Sequence, residues 1–404
     1  MAAVEPMSDE VGMPRVVPRP CELRARPNMR PTLLTPPDLD AALTALAGAE
    51  TLYVDTEFHA EHRYTPRLYL LQVAADDGPV WLIDCTDTSA VRVLREVLTA
   101  APWVVHGGAH DIEILHRVLG AVPPRIWDTQ IMAGLVDVAF PSSFLRLAET
   151  YNNVTLDKGA TLTDWKRRPL TDAQIAYAAA DIDHLRPLYK RLHAIATDMN
   201  RLDIIGDACD AARQSALTGP VPQAVWRDLG AAWALDTLSA TRLRELCAWR
   251  EGVAKADNQP ARRIVSDGIL LEFARRRPAD LTDMVNNRRI PQGLIKKYGT
   301  AILEVLEHGE RRLAFEPVPL IQRFSDEALA VDWVRTVLAL RGRQEGWSVD
   351  LLAPKALLWD AVLAESPIPD ALFGWRASLI GSTVRRALSG ELVVGRNKTG
   401  WDIR

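Results

Sequence analysis

Asp55 and Glu57 stand two apart in the stretch Thr51–Phe58, TLYVDTEF. In an extended chain, residues two apart project to the same side, so both carboxylates aim at one point. Two like charges held that close are costly unless a cation joins them. Farther on, Tyr177 and Asp181 stand four apart in Pro169–Tyr189, PLTDAQIAYAAADIDHLRPLY. On a helix that spacing places a phenol and a carboxylate one above the other, beside the apolar face. A further acid, Asp111, follows the pair Gly107-Gly108 at the expected start of a helix. Taken singly, these residues are a polar strand face, a first-turn Asp and a surface Asp next to a packed Tyr. Taken together, Asp55, Glu57, Asp111 and Asp181 form a set of hard oxygen ligands without Cys or clustered His. Such a set selects Mg²⁺ or Mn²⁺ over Zn²⁺. Two of these ions, about 4 Å apart, suit phosphodiester cleavage: one activates a water and the other stabilises the leaving oxygen.

Positioning these side chains requires a sheet and a long helix. Alternation in Thr51–Phe58 puts Leu52, Val54, Thr56 and Phe58 on one face and Tyr53, Asp55 and Glu57 on the other. Leu68–Ala74 is a second strand; Asp76-Asp77-Gly78 is a turn, and Val80–Asp84 a third strand, giving an antiparallel hairpin. Helices are expected at 37–49, 89–100, 111–119, 128–136 and 142–151, with short strands at 103–106 and 125–127. The stretch beginning at Pro169 carries a helix start: Thr171 caps it and Gln174 completes a capping box. Ile175, Ala178, Ala179, Ile182, Leu185 and Tyr189 make its buried face. A meander followed by strand–helix alternation argues for an α/β unit: a mixed sheet with helices on both faces.

The motifs lie in an ordered series that resembles the ribonuclease D family, in the tyrosine subtype of the DEDD 3′–5′ exonuclease superfamily. The first motif is Asp55-Thr56-Glu57-Phe58, followed by Tyr64-Thr65-Pro66-Arg67-Leu68 and Leu71-Gln72. The second runs from Val105 to Asp111, VHGGAHD, with Leu115 after it, and the third is Tyr177-Ala178-Ala179-Ala180-Asp181. Trp127-Asp128-Thr129, Leu156-Asp157-Lys158, Thr163-Asp164-Trp165 and Arg168-Pro169-Leu170 match the connecting pattern. The chain departs from that pattern at Gly107-Gly108, Asn152-Asn153 and Leu162, none of which is a proposed catalytic residue.

The resemblance implies a ribonuclease H-like exonuclease fold and a catalytic set of Asp55, Glu57, Asp111, Tyr177 and Asp181. Asp55 bridges both ions, Glu57 and Asp181 hold the ion carrying the attacking water, Asp111 supports the second, and Tyr177 orients or helps deprotonate the water. The implied activity is release of nucleoside 5′-monophosphates from RNA 3′ ends, such as the single-stranded tails of tRNA precursors. His59, Gln72, His106 and Lys158 are expected nucleic-acid contacts.

Beyond the linker, no strand is expected. Leu243-Arg244-Glu245-Leu246, Ala248-Trp249-Arg250-Glu251 and Ile264-Val265-Ser266-Asp267 resemble the HRDC module, an all-α domain. A second helical set, with Phe373-Gly374-Trp375-Arg376 and Leu379-Ile380-Gly381, looks like a divergent second copy. Arg262-Arg263, Arg275-Arg276-Arg277, Arg288-Arg289 and Lys296-Lys297 cluster in the first module, where they are either solvated helix faces or a phosphate-contacting surface. The expected organisation is a disordered tail at 1–30, the exonuclease domain at 31–205, a linker at 206–234, HRDC at 235–315 and a second HRDC-like domain at 325–395. Residues from Arg396 onward read as a loose tail.

The 404 residues carry a net charge of −4, so any nucleic-acid surface must be local. With 48% hydrophobic and 25% charged residues, composition is that of a soluble globular protein. The four cysteines, Cys21, Cys85, Cys209 and Cys247, are too dispersed for a zinc knuckle or a disulfide framework. There is no membrane segment or secretion signal, so a cytoplasmic enzyme without an obligate protein partner is expected. Two rivals use the same features: a 3′–5′ DNA exonuclease acting in repair, and a non-catalytic nucleic-acid-binding scaffold.

Overall fold

The computed structural model describes residues 32–35, 39–137, 140–154, 163–230, 232, 235–313, 325–397 and 400–403. Its six-stranded sheet comprises β1 (Thr32–Leu34), β2 (Leu52–His59), β3 (Arg67–Ala75), β4 (Trp81–Asp84), β5 (Trp103–Val105) and β6 (Ile126–Asp128), in the order β1-β4-β3-β2-β5-β6. β2, β3 and β4 pair antiparallel, whereas β5 runs parallel to β2 and β6 parallel to β5. The sheet is therefore mixed, as the meander and alternation foretold. β1, which was not expected, pairs parallel with β4 at the far edge.

The helices of this half are α1 (Asp40–Leu46), α2 (Ser89–Val93), α3 (Arg95–Ala100), α4 (Ala109–Leu119), α5 (Thr129–Val136), α6 (Phe144–Asn152), α7 (Asp172–Asp198) and α8 (Leu202–Thr218). The helix expected at 89–100 is thus split into two at Leu94. One face of the sheet buries Leu52, Val54, Leu71 and Val73 with α1 to α4. The other buries Tyr53, Ala74 and Val104 beneath Ile182 and Leu185 of α7. The two-faced reading of β2 holds because each face has its own helical cover. α7 begins where the sequence says it should: the Thr171 hydroxyl accepts from Gln174 N, and Gln174 Oε1 accepts from Thr171 N.

Residues 206–218, expected as linker, belong to α8. This helix packs Ile205, Ala208 and Cys209 into a core with α5 and α7, so burial holds a stretch whose local composition had not signalled a domain element.

The helical half contains α9 (Thr237–Asp257), α10 (Ala261–Ile264), α11 (Asp267–Arg275), α12 (Leu281–Asn286) and α13 (Gln292–Leu313). It continues with α14 (Asp326–Glu345), α15 (Val349–Leu352), α16 (Lys355–Leu363) and α17 (Ser382–Leu388). The first set has its own core, from Trp226 to Leu306. The second shares one with α5 to α8. Among the described residues the stretch read as a loose tail is paired: β7 (Val394–Asn397) and β8 (Gly400–Ile403) run antiparallel, with Val394 and Ile403 packed on the shared core. That contact fixes a pairing which four-residue strands rich in Gly and Asn do not announce. No helix among the described residues is long and apolar enough to cross a membrane.

Candidate active site

The chain delivers Asp55 and Glu57 from β2, and Tyr177 and Asp181 from successive turns of α7 laid across that strand. Asp55, Glu57 and Asp181 each place a carboxylate oxygen within 4.8 Å of those of the other two. The Tyr177 hydroxyl donates to Asp181. Asp111, in the first turn of α4, is buried beside this group but not within it; its Oδ1 accepts the hydroxyl hydrogen of Thr56.

Two glycines and an acid set the place of Asp111. Gly107 has φ of +58°, in the left-handed region that side chains disfavour, and a Cβ on Gly108 would come within 2.5 Å of Val105 Cγ2. Asp128 grips this turn, accepting from Gly107 N at 2.9 Å and Gly108 N at 3.0 Å while capping α5 through Gln130 N. The departure at Gly107-Gly108 is thus a tight turn whose left-handed residue and close approach to Val105 favour glycine. The departure at Asn152-Asn153 is structural too: Asn152 donates to His184 O, and Asn153 ends α6 in the left-handed conformation. Leu162 lies outside the described residues.

Electrostatics set these acids apart. Burial, then the charges of Asp111, Asp181 and Glu57, holds Asp55 well above the usual carboxylate range. Burial together with Asp181 and Asp111 pushes Glu57 up to about 8. Burial raises Asp181 to about 7 against the opposing hydrogen bond from Tyr177, and Asp111 to about 6. Carboxylates that raise one another's affinity for protons are short of positive charge. Three such groups with oxygens close enough to share an ion fit a divalent cation, and the all-oxygen donor set fits a hard one. Burial also raises the Tyr177 phenol, so it stays protonated near neutral pH.

A pocket of about 150 Å³ opens over these groups, lined by Asp55, His106, Phe144, Tyr177, Asp181 and Leu185. His106 stands in its wall, with Nδ1 3.0 Å from Thr129 Oγ1 and its ring against Phe144; burial holds it below the usual histidine value. Phe144 and Leu185 were not foreseen as pocket residues. Both occupy apolar helix positions, which read as core.

The other expected contacts divide. Gln72 is 0% exposed: it sits opposite Asp55 in the β2–β3 register and donates to Glu57 Oε1 at 3.4 Å. It cannot touch a nucleic acid and serves as a brace for Glu57. His59 lies at the end of β2 with its ring on Tyr69. Arg262 pairs with Asp267, and Arg263 meets His62 of the loop after β2, which draws that part of the first helical module to the exonuclease domain. Of the other basic residues, Arg276 and Arg289 face Glu272, Arg277 faces Glu310 and Lys297 faces Asp257. Lys158 lies outside the described residues.

The 3′–5′ exonuclease family model matches residues 32–196, and the HRDC domain model matches residues 239–306. Ribonuclease D of Granulibacter bethesdensis is 30% identical over 374 residues, covering 90% of this chain and 94% of that protein. This chain belongs to the ribonuclease D family. Ribonuclease D of Gluconacetobacter diazotrophicus is 29% identical over 375 residues, covering 91% and 95% of the two chains. The crystal structure of Escherichia coli RNase D superposes with a TM-score of 0.72 at 25% identity, covering 90% of this chain and 99% of that one. As a ribonuclease D family member, the chain is a 3′–5′ exoribonuclease, with an α/β exonuclease domain followed by a helical HRDC region.

Proposed function

We propose that this enzyme trims RNA from its 3′ end by hydrolysis with divalent cations held among Asp55, Glu57, Asp111 and Asp181. One observation carries the reading: carboxylates from two distant segments converge, short of positive charge, beside a tyrosine hydroxyl bonded to one of them. Asp55, Glu57 and Asp181 would hold one ion, and Asp55 with Asp111 would hold a second. Mg²⁺ or Mn²⁺ bound there supplies a lowered pKa for the attacking water and neutralises charge at the leaving 3′ oxygen. The water's oxygen bonds to phosphorus, the P–O3′ bond breaks, the 3′ oxygen takes a proton, and a nucleoside 5′-monophosphate leaves.

Tyr177, whose hydroxyl bonds to Asp181, orients the attacking water. Gln72 fixes Glu57 from behind. His106, largely buried and neutral, contacts the terminal nucleotide from the pocket wall, and His59 contacts the strand at the open end of β2. Substrates are the trailing single-stranded 3′ ends of structured RNAs; the E. coli relative is described as an exoribonuclease involved in structured RNA processing.

The test is mononucleotide release from 3′-labelled and 5′-labelled single strands, RNA and matched DNA, with and without Mg²⁺ or Mn²⁺. Metal-dependent release from RNA is expected, with Asp55→Ala and Asp181→Asn each abolishing it. Full activity in both variants defeats the assignment, faster digestion of DNA moves the enzyme to repair, and metal-independent binding without cleavage makes the chain a scaffold.

A further inference from the structure

The segment Thr163–Leu170 connects to α7, and none of its residues belongs to the metal-binding set. It is nevertheless pinned at both ends. At one end, Gln174 Nε2 of α7 donates to Thr163 Oγ1 at 2.7 Å. At the other, the Arg168 guanidinium is fully engaged. Its Nε and Nη2 donate to the two oxygens of Asp84 at 2.5 and 3.0 Å, and Nη2 also donates to Tyr69 O at 2.9 Å. Nη1 donates to Trp165 O at 2.8 Å and Arg167 O at 2.9 Å. Asp84 is itself fixed by Thr86, accepting from its N at 2.8 Å and its Oγ1 at 2.7 Å. Against the cost of its partial burial, the hydrogen bonds from Arg168 and Thr86 hold its carboxyl below the usual range. One arginine thus ties the segment to the end of β4 by a bidentate, charge-assisted pair and to β3 by one carbonyl, while two carbonyls of the segment itself fix its turn.

That clamp holds Trp165. Its indole is 4% exposed and lies in a small apolar cluster with Tyr69, Leu70, Leu82, Leu170 and Ala178. The ring of Tyr177 packs on the same cluster, its centroid 6.2 Å from that of Trp165 with planes 40° apart. On one side Tyr177 is held by its bond to Asp181, and on the other by this indole. A phenol that orients water needs its ring fixed to a fraction of an ångström. The carboxylate restrains only the hydroxyl end; the indole restrains the ring.

We propose that Trp165 is a positioning residue for Tyr177, and that the Arg168–Asp84 clamp keeps it in place. The inference rests on the reading of Tyr177 as the residue that orients the attacking water. It follows that the clamp governs turnover, while RNA affinity and metal binding are set elsewhere.

The experiment is a double-mutant cycle on the full chain, with kcat, KM and thermal midpoint measured at saturating Mg²⁺ for R168K, W165F, Y177F and the two doubles with Y177F. R168K keeps the charge opposite Asp84 but loses the fork. Expected are kcat losses of about tenfold for R168K and W165F with KM within about twofold, and little further loss when either is added to Y177F. Equal proportional losses in the Tyr177 and Y177F backgrounds overturn the inference while leaving Tyr177 its role. An unchanged kcat in Y177F alone overturns the role of Tyr177 and the inference with it. A fall in thermal midpoint with kcat intact at 25 °C makes the clamp merely structural and also overturns it.

Discussion

The two helical sets that follow the exonuclease domain are of similar length, yet they are attached in different ways. The second, α14 to α17, has no separate interior. Val334, Val337, Leu338, Trp347 and Phe373 pack in one continuous core with Met132 and Leu135 of α5 and Leu188 and Leu192 of α7. The first, α9 to α13, closes its own core around Leu243, Leu246, Phe273, Ile302 and Leu306. It meets the catalytic domain through the loop after β2: Asn258 Oδ1 accepts from Thr65 N at 3.0 Å, Arg263 contacts His62, and the Tyr64 ring packs on the module's edge. One set is therefore part of the catalytic body, and the other is a module leaning on it. The second packs behind α5 and α7, and α7 carries Tyr177, Asp181 and Leu185 of the pocket.

Leu338→Ala should break this distinction if it is wrong. The side chain is fully buried in the shared core, and its loss costs about 2–5 kcal/mol. Calorimetry should show the joint transition of the exonuclease domain and second set lowered, and mononucleotide release lost at a correspondingly lower temperature. Leu246→Ala, equally buried in the first module, should lower a separate transition and leave release from a short RNA at 25 °C unchanged. A single transition moved alike by both substitutions would refute two modes of attachment.

The acidic site gives the next largest effect. Glu57, Asp111 and Asp181 have folded values raised to about 8, 6 and 7, above those of the unfolded chain. A raised folded pKa means that the native state binds the proton more tightly. Its stabilisation is complete below the unfolded value, near 4, and is lost as pH rises through the folded one. Metal-free protein should accordingly lose at least about 2 kcal/mol between pH 5 and pH 9, all of it from the joint transition, and Mg²⁺ should restore the loss. A metal-free midpoint that rises over that range contradicts the site's charge state.

Arg201 sharpens the joint end of the comparison. From the start of α8 it donates to Leu135 O at 2.6 Å, Gly346 O at 2.7 Å and Glu345 O at 2.6 Å, stitching α5 to the end of α14. Arg201→Ala should cost about 2 kcal/mol, again in the joint transition, with denaturant midpoints as the readout.

What was legible in the sequence follows the same division. Asp55 and Glu57 were readable because a strand's period of two is local, and the capping box at Thr171 and Gln174 because a helix start is local. The hairpin of β3 and β4 was marked by its Asp-Asp-Gly turn. β1 escaped because three residues carry no period. β7 and β8, like residues 206–218, are held by the shared core and so by partners far away in the chain. Gln72 was placed on the right strand, but nothing in its neighbours says that it is covered from both sides. Asp128 was recognised as a motif member, yet its grip on Gly107 and Gly108 exists only once β5 and β6 lie side by side.

Tyr64 should give the smallest effect, and it bears most directly on the leaning module. Its hydroxyl donates to Glu251 on α9, and burial first, then that acid, raises its pKa. Tyr64→Phe keeps the ring on the module's edge and removes one hydrogen bond to a carboxylate, worth about 1 kcal/mol. Because the module has its own core, neither transition should move by more than a degree or two. What should change is the docking: proteolysis between residues 219 and 225 should quicken, and long RNA should lose more affinity than a short oligonucleotide. If short and long RNA are affected equally, the loop after β2 acts within the catalytic site itself, and the first module is as much part of the catalytic body as the second.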